Sequence, residues 1–568
     1  MKRALLMAVV GMVWTSFGCG STGSVVDAAD AAVGDAPIDD APEADAAPDV
    51  AAEVAPTVFG LPLPQGVAPP ILLAADATLT GAGRTACSHQ DRASGGGDRW
   101  CAFRRPGAVP GTVELWVTDV SAAARGAVPS CDGSSTSCLR LTTTLWQSYG
   151  NDFEGDTLIF YADAPPTLKT SSPYLGPVYA WRPGWTRARR LAANGSLCVG
   201  HRVAPVAACL DDPTGDPDNP DDVQLRVGVV ADLSDATLPA LPGRWPFRND
   251  GTVAWQIAFS PDGETFAISV PDAAHVGQTL SVIPSRDVAT ATLRDHVLDG
   301  IQPWVISNDG KKIFFYRGPK SDGVLSIADF PAGTNEKVLA TKVYDYAQLG
   351  RGAADSALLL RLKKPQGGHS FQLLRERDKP ETAVTVFENE GVLEGISIAP
   401  DLSHVAWIDP DFRGVAIRVS DLSSCAFNPD PAPSASDVGF VDDASFMYWA
   451  ERRPGGLGAR DGMLAAPGAC AERVVFARTL GFVTPVGHRG LIYGDERDDD
   501  GRLVTLKYAG LAPGRDEAAR GGVRVHERVS VPVTLVDGVA APEDTRVVYR
   551  AEATEGRPAG VYMFAPSF

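Results

Sequence analysis

Ile257-Ala258-Phe259-Ser260-Pro261-Asp262-Gly263-Glu264-Thr265-Phe266-Ala267-Ile268 decides how the whole chain is read. One apolar run enters a Ser-Pro-Asp-Gly turn and a second apolar run leaves it. Proline presets the turn dihedral and glycine accepts a positive one, so the chain reverses tightly into a hairpin. The layout returns at Trp304-Val305-Ile306-Ser307-Asn308-Asp309-Gly310, followed by Lys312-Ile313-Phe314-Phe315. It returns again at Ile396-Ser397-Ile398-Ala399-Pro400-Asp401, followed by His404-Val405-Ala406-Trp407. In this third copy Leu402-Ser403 follows the aspartate and the glycine is missing, so the unit is degenerate.

Working outward, each hairpin is followed by a third strand with an alternating pattern. These third strands centre near Leu115, Tyr179, Leu225, Leu280, Leu325, Leu373, Ile417, Met463, Thr505 and Tyr562, with separations of 42 to 64 residues. A period of this order with several strands per unit means propeller blades, because one small sheet cannot bury both faces without neighbours. Most units continue into a fourth strand, as at 337–340 and 384–387. The tenth unit stops after its third strand, Val561-Tyr562-Met563-Phe564, and the run 71–79 is expected to supply its missing fourth. The expected fold class is all-β: a β-propeller of about ten four-stranded units over residues 57–568. It forms a single ring or two smaller propellers, closed by the N-terminal strand.

The hairpin units resemble the WD40-like repeat of TolB-type propellers, whose blades carry an apolar strand, Ser-Pro-Asp-Gly and a second apolar strand. The match is specific over roughly 254–410 and becomes pattern alone on either side. The resemblance implies a protein partner in the cell envelope. It carries no binding residue over, because the matching motif is the structural hairpin.

The first residues read as an export signal: Lys2 and Arg3, then an apolar run from Ala4 to Phe17 too short for a permanent membrane span. Ser16-Phe17-Gly18-Cys19-Gly20 resembles the bacterial lipobox, in which the cysteine is acylated and becomes the mature N-terminus. Ser16 stands where that pattern prefers leucine. Residues 1–19 are therefore expected to be a lipoprotein signal with Cys19 as the lipidation site. Gly20, rather than aspartate, points by the same resemblance to the outer membrane. Residues 20–56 are expected to be a disordered tether: 27–55 holds nine acidic residues and no basic ones, with Pro37, Pro42 and Pro48 against a helix.

The body from 56 to 568 carries 49 basic and 61 acidic residues, a net of −12. That balance argues against nucleic acid, whose phosphates need a basic footprint. Besides Cys19 there are eight cysteines: Cys87, Cys101, Cys131, Cys138, Cys198, Cys209, Cys425 and Cys470. An even number in an exported chain suggests disulfides, and no Cys-x-x-Cys pair points to a metal. Cys87–Cys101 and Cys198–Cys209 flank turns and would staple the first two strands of a blade. Cys131–Cys138 is the next nearest pair, and Cys425–Cys470 follows by elimination.

No catalytic signature survives inspection. The Gly-x-Ser-x-Gly nucleophile elbow is absent. Ser260-Pro261-Asp262-Gly263 lacks the spacer of the sialidase Asp box. Glu496-x-Asp498-x-Asp500-Gly501 mimics half of a calcium loop without the glutamate that completes one, and 211–222 holds six aspartates among prolines. Both read as solvated loops between strands. His89, His201, His404 and His488 fall in or near first-to-second-strand hairpins, where a metal would need them to converge; four separate surface histidines are the plainer expectation. Tryptophans 116, 181, 185, 245, 255, 304, 407 and 449 read as packing between blades rather than as sugar platforms. No cofactor is implied. The expected role is a non-catalytic envelope lipoprotein whose propeller binds an envelope protein or a glycan. The alternative is an extracellular enzyme acting on a glycan or peptide polymer in the propeller channel.

Overall fold

The structure, a computed structural model, describes stretches of the chain between residues 70 and 565. Residues 1–69 and several loops, among them 163–175, 212–223, 242–255 and 350–356, lie outside the described residues. The expected export signal with Cys19 and the expected acidic tether therefore lie outside them.

The described residues pair into seven sheets. The ten third strands fall at Val113–Asp119, Gly176–Trp181, Gln224–Val229, Gln278–Pro284, Gly323–Asp329, His369–Leu374, Gly414–Arg418, Arg460–Ala466, Leu503–Gly510 and Gly560–Phe564. They define units 1 to 10 in chain order. Two strands run longer than the separate fourth and first strands expected. Arg189–Gly200 closes unit 2 and opens unit 3, and Lys337–Leu349 closes unit 5 and opens unit 6. In the first strand Asn194-Gly195 stands where the two roles meet, Gly195 lying opposite both Gly176 and Asp211. In the second strand, Lys342 takes a positive φ of 57° between the stretch pairing back to unit 5 and the stretch pairing forward to unit 6.

Strand side chains alternate between faces, and here both faces are covered. In the strand Thr265–Pro271, Phe266 and Ile268 pack toward unit 3 with Leu210 and Val227, while Ala267 packs toward unit 5 with Trp304. The Trp304 indole N–H also crosses the interface to donate to Ser269 Oγ at 2.8 Å. Ten apolar clusters of this kind each join two consecutive units, and the last joins unit 10 back to unit 1. The succession of cores returns to its start.

The ends complete the circuit. Ile71–Ala75 lies antiparallel to Gly560–Phe564, with Ile71 opposite Met563 and Ala75 opposite Gly560. The fourth strand of unit 10 thus comes from the other end of the chain. The fold is a β-propeller.

Four disulfides reinforce it. Cys87–Cys101 and Cys198–Cys209 tie neighbouring segments within units 1 and 3, and Cys131–Cys138 closes a loop of unit 1. Cys425–Cys470 joins the fourth strands of units 7 and 8, Ser424–Ala426 and Ala469–Ala477. Disulfides persist in oxidising compartments, so the chain belongs outside the reducing cytoplasm. Among the described residues no helix is long and apolar enough to cross a membrane.

One core is polar at its centre. Between units 9 and 10, buried His526 packs edge-on against the rings of Tyr549 and Tyr562, with Nδ1 3.0 Å from the Tyr549 hydroxyl. Burial, then the nearby Arg557 guanidinium, lowers its pKa from 6.5 to about 4. The folded state resists this proton and the unfolded chain takes it up, so stability falls as pH drops from about 6.5 toward 4. The expected loss is about 2 kcal/mol at pH 5. Urea midpoints of wild type and His526→Phe between pH 7 and 4.5 check it; parallel curves would remove His526 from the acid response.

Candidate functional site on the turn rim

Because successive strands run antiparallel, the turn between first and second strands and the turn between third and fourth strands share one rim wherever a unit has both; in unit 10 the fourth strand comes from Ile71–Ala75 and no such turn joins it. The Ser-Pro-Asp-Gly signature builds this rim. Ser260 Oγ donates to Asp262 Oδ1 at 2.5 Å and accepts the Thr265 N–H at 2.9 Å, while Asp262 Oδ1 accepts the Glu264 N–H at 3.0 Å. Gly263 closes the turn onto Ser260 O at 2.8 Å with φ 72°, a conformation open to glycine at no steric cost. Ser307, Asp309 and Gly310 repeat these contacts in unit 5. In the degenerate unit 7, Asp401 Oδ1 still accepts the Ser403 N–H at 2.8 Å and Ala399 N–H still reaches His404 O.

Neighbouring turns are laced together. His201, in the turn of unit 3, accepts the Val203 and Ala204 N–H groups on Nδ1 and donates from Nε2 to Pro261 O of unit 4 at 3.0 Å. Burial first, offset by that bond, lowers its pKa. A Cβ on Gly310 would sit 3.2 Å from the Pro261 ring, so the turns of units 4 and 5 nearly touch. Asp309 of unit 5 pairs with Arg377 of unit 6. In unit 2, Arg182 Nη1 donates to Thr157 Oγ1 and to Ala204 O of unit 3, both at 2.8 Å. The Asp156 carboxyl beside it is pushed up to about 6 by burial, against the pull of Arg182.

A cleft of about 370 Å³ opens on this rim between units 6 and 7. Arg375 lines it from unit 6; Asp401, Ser403, His404, Arg418 and Ser420 line it from unit 7. Ser403 Oγ lies 2.8 Å from His404 Nδ1, and burial followed by the Arg418 charge lowers the His404 pKa. Arg418 reaches Asp421 at 3.5 Å. The cleft therefore presents guanidinium, carboxylate, hydroxyl and imidazole groups beside an apolar wall that includes Val419.

The residues singled out in the sequence are distributed differently. His201 and His404 serve separate turns, and His89 and His488 lie outside the described residues. Among the described residues no cluster of three His, Cys, Asp or Glu stands at metal-holding distance. Glu496 binds Lys507 at 3.0 Å and Arg524 at 2.9 Å, and Asp211 binds Arg226 and the Asn194 N–H; the rest of both acidic loops lies outside the described residues. Two of the tryptophans pack between consecutive units, Trp181 meeting Trp100 at 5.1 Å and Trp407 stacking on Phe387 at 3.9 Å, while Trp245 and Trp255 lie outside the described residues. Sequence reasoning gave no signal for Arg375 or Arg418. Each belongs to a turn of its own, and only the placement of two units brings them to one cleft.

No family model matches the chain, and no curated protein does. Among solved structures, a eukaryotic initiation factor is similar over 78% of this chain and 95% of its own, at 9% identity and a TM-score of 0.40. The oligogalacturonate lyase of Vibrio parahaemolyticus is similar over 55% and 88%, at 14% identity and 0.30. The β-propeller domain of the trilobed protease of Pyrococcus furiosus is similar over 55% and 92%, at 8% identity and 0.27. Their activities are theirs.

Proposed function

We propose that this chain is a lipid-anchored propeller of the bacterial cell envelope that binds a protein or glycan on its turn rim without transforming it. Acylated Cys19 would hold it to the membrane, and the tether 20–56 would set its distance. The observation that carries the reading is the cleft between units 6 and 7, where polar and charged groups from two units line a single opening on the rim. The four disulfides support an extracytoplasmic site of action. A photo-reactive residue placed at Ser420, in the cleft, should give an adduct in intact envelopes that the same residue at exposed Val384, on the outer strand of unit 6, does not. Equal adducts, or none at either position, would count against rim binding. Cys19→Ala should move the protein to the soluble fraction or leave it uncleaved, and unchanged detergent partitioning would end the anchoring half of the proposal.

A further inference from the structure

Net charge along the third-to-fourth-strand turns singles out unit 2. Trp181-Arg182-Pro183-Gly184-Trp185-Thr186-Arg187-Ala188-Arg189-Arg190 holds four arginines and no acid. The corresponding turns of units 3, 4, 5, 6, 7 and 9 all contain Asp or Glu, as does that of unit 1; that of unit 8 is Pro467-Gly468. The hairpin is also firmly built. The Trp181 indole N–H donates to Trp185 O at 2.9 Å, the Arg189 guanidinium lies 5.1 Å over the Trp185 ring, and Arg182 is turned inward onto Thr157 and Ala204. Arg187 and Arg190 are exposed. In a body of net −12 this hairpin concentrates four positive charges, one of which, Arg182, lies beside the Asp156 carboxyl.

The origin of the tether is fixed as well. Ile71 lies opposite Met563, at the end where the third strand of unit 10 reaches the turn rim. The chain preceding Ile71 therefore enters from the rim that carries the arginine hairpin, two units around the circuit. The seventeen residues 54–70 are uncharged and rich in proline; before them comes the segment with nine carboxylates. At roughly 3.1 Å per residue seventeen residues can span about 50 Å, and a segment linked over so short a chain meets the hairpin at an effective concentration in the millimolar range.

We propose that the hairpin Trp181–Arg190 is the intramolecular docking site of the acidic tether, residues 27–55, which screens this part of the rim from other polyanions. The contact is electrostatic and salt-sensitive, since exposed charges are screened beyond a Debye length of about 10 Å at 0.1 M salt. It stands independently of what the cleft between units 6 and 7 binds.

Two measurements on the mature full-length chain test it. In the first, Arg187→Lys/Arg190→Lys keeps the charge and introduces amines that a carbodiimide can join to carboxylates. Mass spectrometry should find tether carboxylates linked to positions 187 and 190 at about fivefold or more the yield at Lys379 on unit 6, with the excess lost in high salt. Equal yields at all lysines would overturn the proposal. The second uses heparin as the polyanion. Deleting 27–55 should raise heparin affinity about tenfold with the native hairpin and far less in Arg187→Ser/Arg190→Ser. The same gain in both backgrounds would mean that the tether acts only through net charge, and the docking site would be abandoned.

Discussion

Deletion of residues 1–76 is expected to cost on the order of 5 kcal/mol and to leave an aggregation-prone body, whereas deletion of 27–55 alone costs no more than about 1.4 kcal/mol, the salt-sensitive docking of the tether. The strand removed is Ile71–Ala75. Leu73 and Ala74 are buried in the cluster that joins unit 10 to unit 1, beside Phe103, Trp116, Val548 and Met563. Burying one leucine stabilises by about 1.5–3 kcal/mol, and its removal leaves a cavity between two units. The main-chain partners of Gly560–Phe564 go with it, and an unpaired edge is a template for association. Gly560→Val tests the same contact without shortening the chain. A Cβ there would stand 2.4 Å from the Ala74 carbonyl oxygen, a backbone atom with no flexible side chain to move aside. Thermal melts and light scattering of the three variants decide. If the 1–76 deletion melts with wild type, the first strand does not hold the ring.

Much of this was legible because the governing interactions are local. Turn residues at fixed offsets from apolar runs mark the hairpins between 254 and 410, and the spacing they set carries outward, so that all ten third strands fall where it puts them. Cysteines flanking one turn are near in space for the same reason, and Cys87 sits directly across from Cys101 in an isolated bridge. The closing strand followed from counting strands in the tenth unit. The contacts that run between units were not legible. Their partners are set by how each blade is rotated and placed against the next, and no sequence period encodes that. His201 and Pro261 are 60 residues apart, and His526 meets Tyr549 across 23. From sequence, His201 is expected to be one of four separate surface histidines; in the fold it is buried, with both ring nitrogens engaged, one by its own turn and one by the neighbouring turn. The cleft between units 6 and 7 was invisible for the same reason.

Arg377→Ala should destabilise the propeller by about 3 kcal/mol or more, the largest expected effect of a single change on the turn rim. The turn aspartate of unit 5 explains why. One oxygen of Asp309 closes its own turn, accepting the Ser307 hydroxyl at 2.6 Å and the Lys311 N–H at 3.2 Å. The other takes the Arg377 guanidinium from unit 6. Both side chains are largely buried, with 12% of Arg377 and 8% of Asp309 exposed, so removing the arginine leaves a carboxylate stranded away from water. The hydrogen bonds from Arg377, Ser307 and the Lys311 N–H, outweighing burial, hold the Asp309 pKa down at about 2 against 3.8 for a free carboxyl. A depressed carboxyl pKa contributes stability above about 4 that is lost as pH falls toward 2. Wild type should therefore lose stability across that window more steeply than Arg377→Ala, which has already lost the contact. Asp309→Asn keeps the turn acceptor, gives up the charge and should cost less than Arg377→Ala. Combining the two should cost less than their sum, because the stranded carboxylate is then gone. Chemical denaturation of the four proteins at pH 7 and pH 3 gives the cycle. Strict additivity at pH 7 would show that units 5 and 6 are not coupled through this pair.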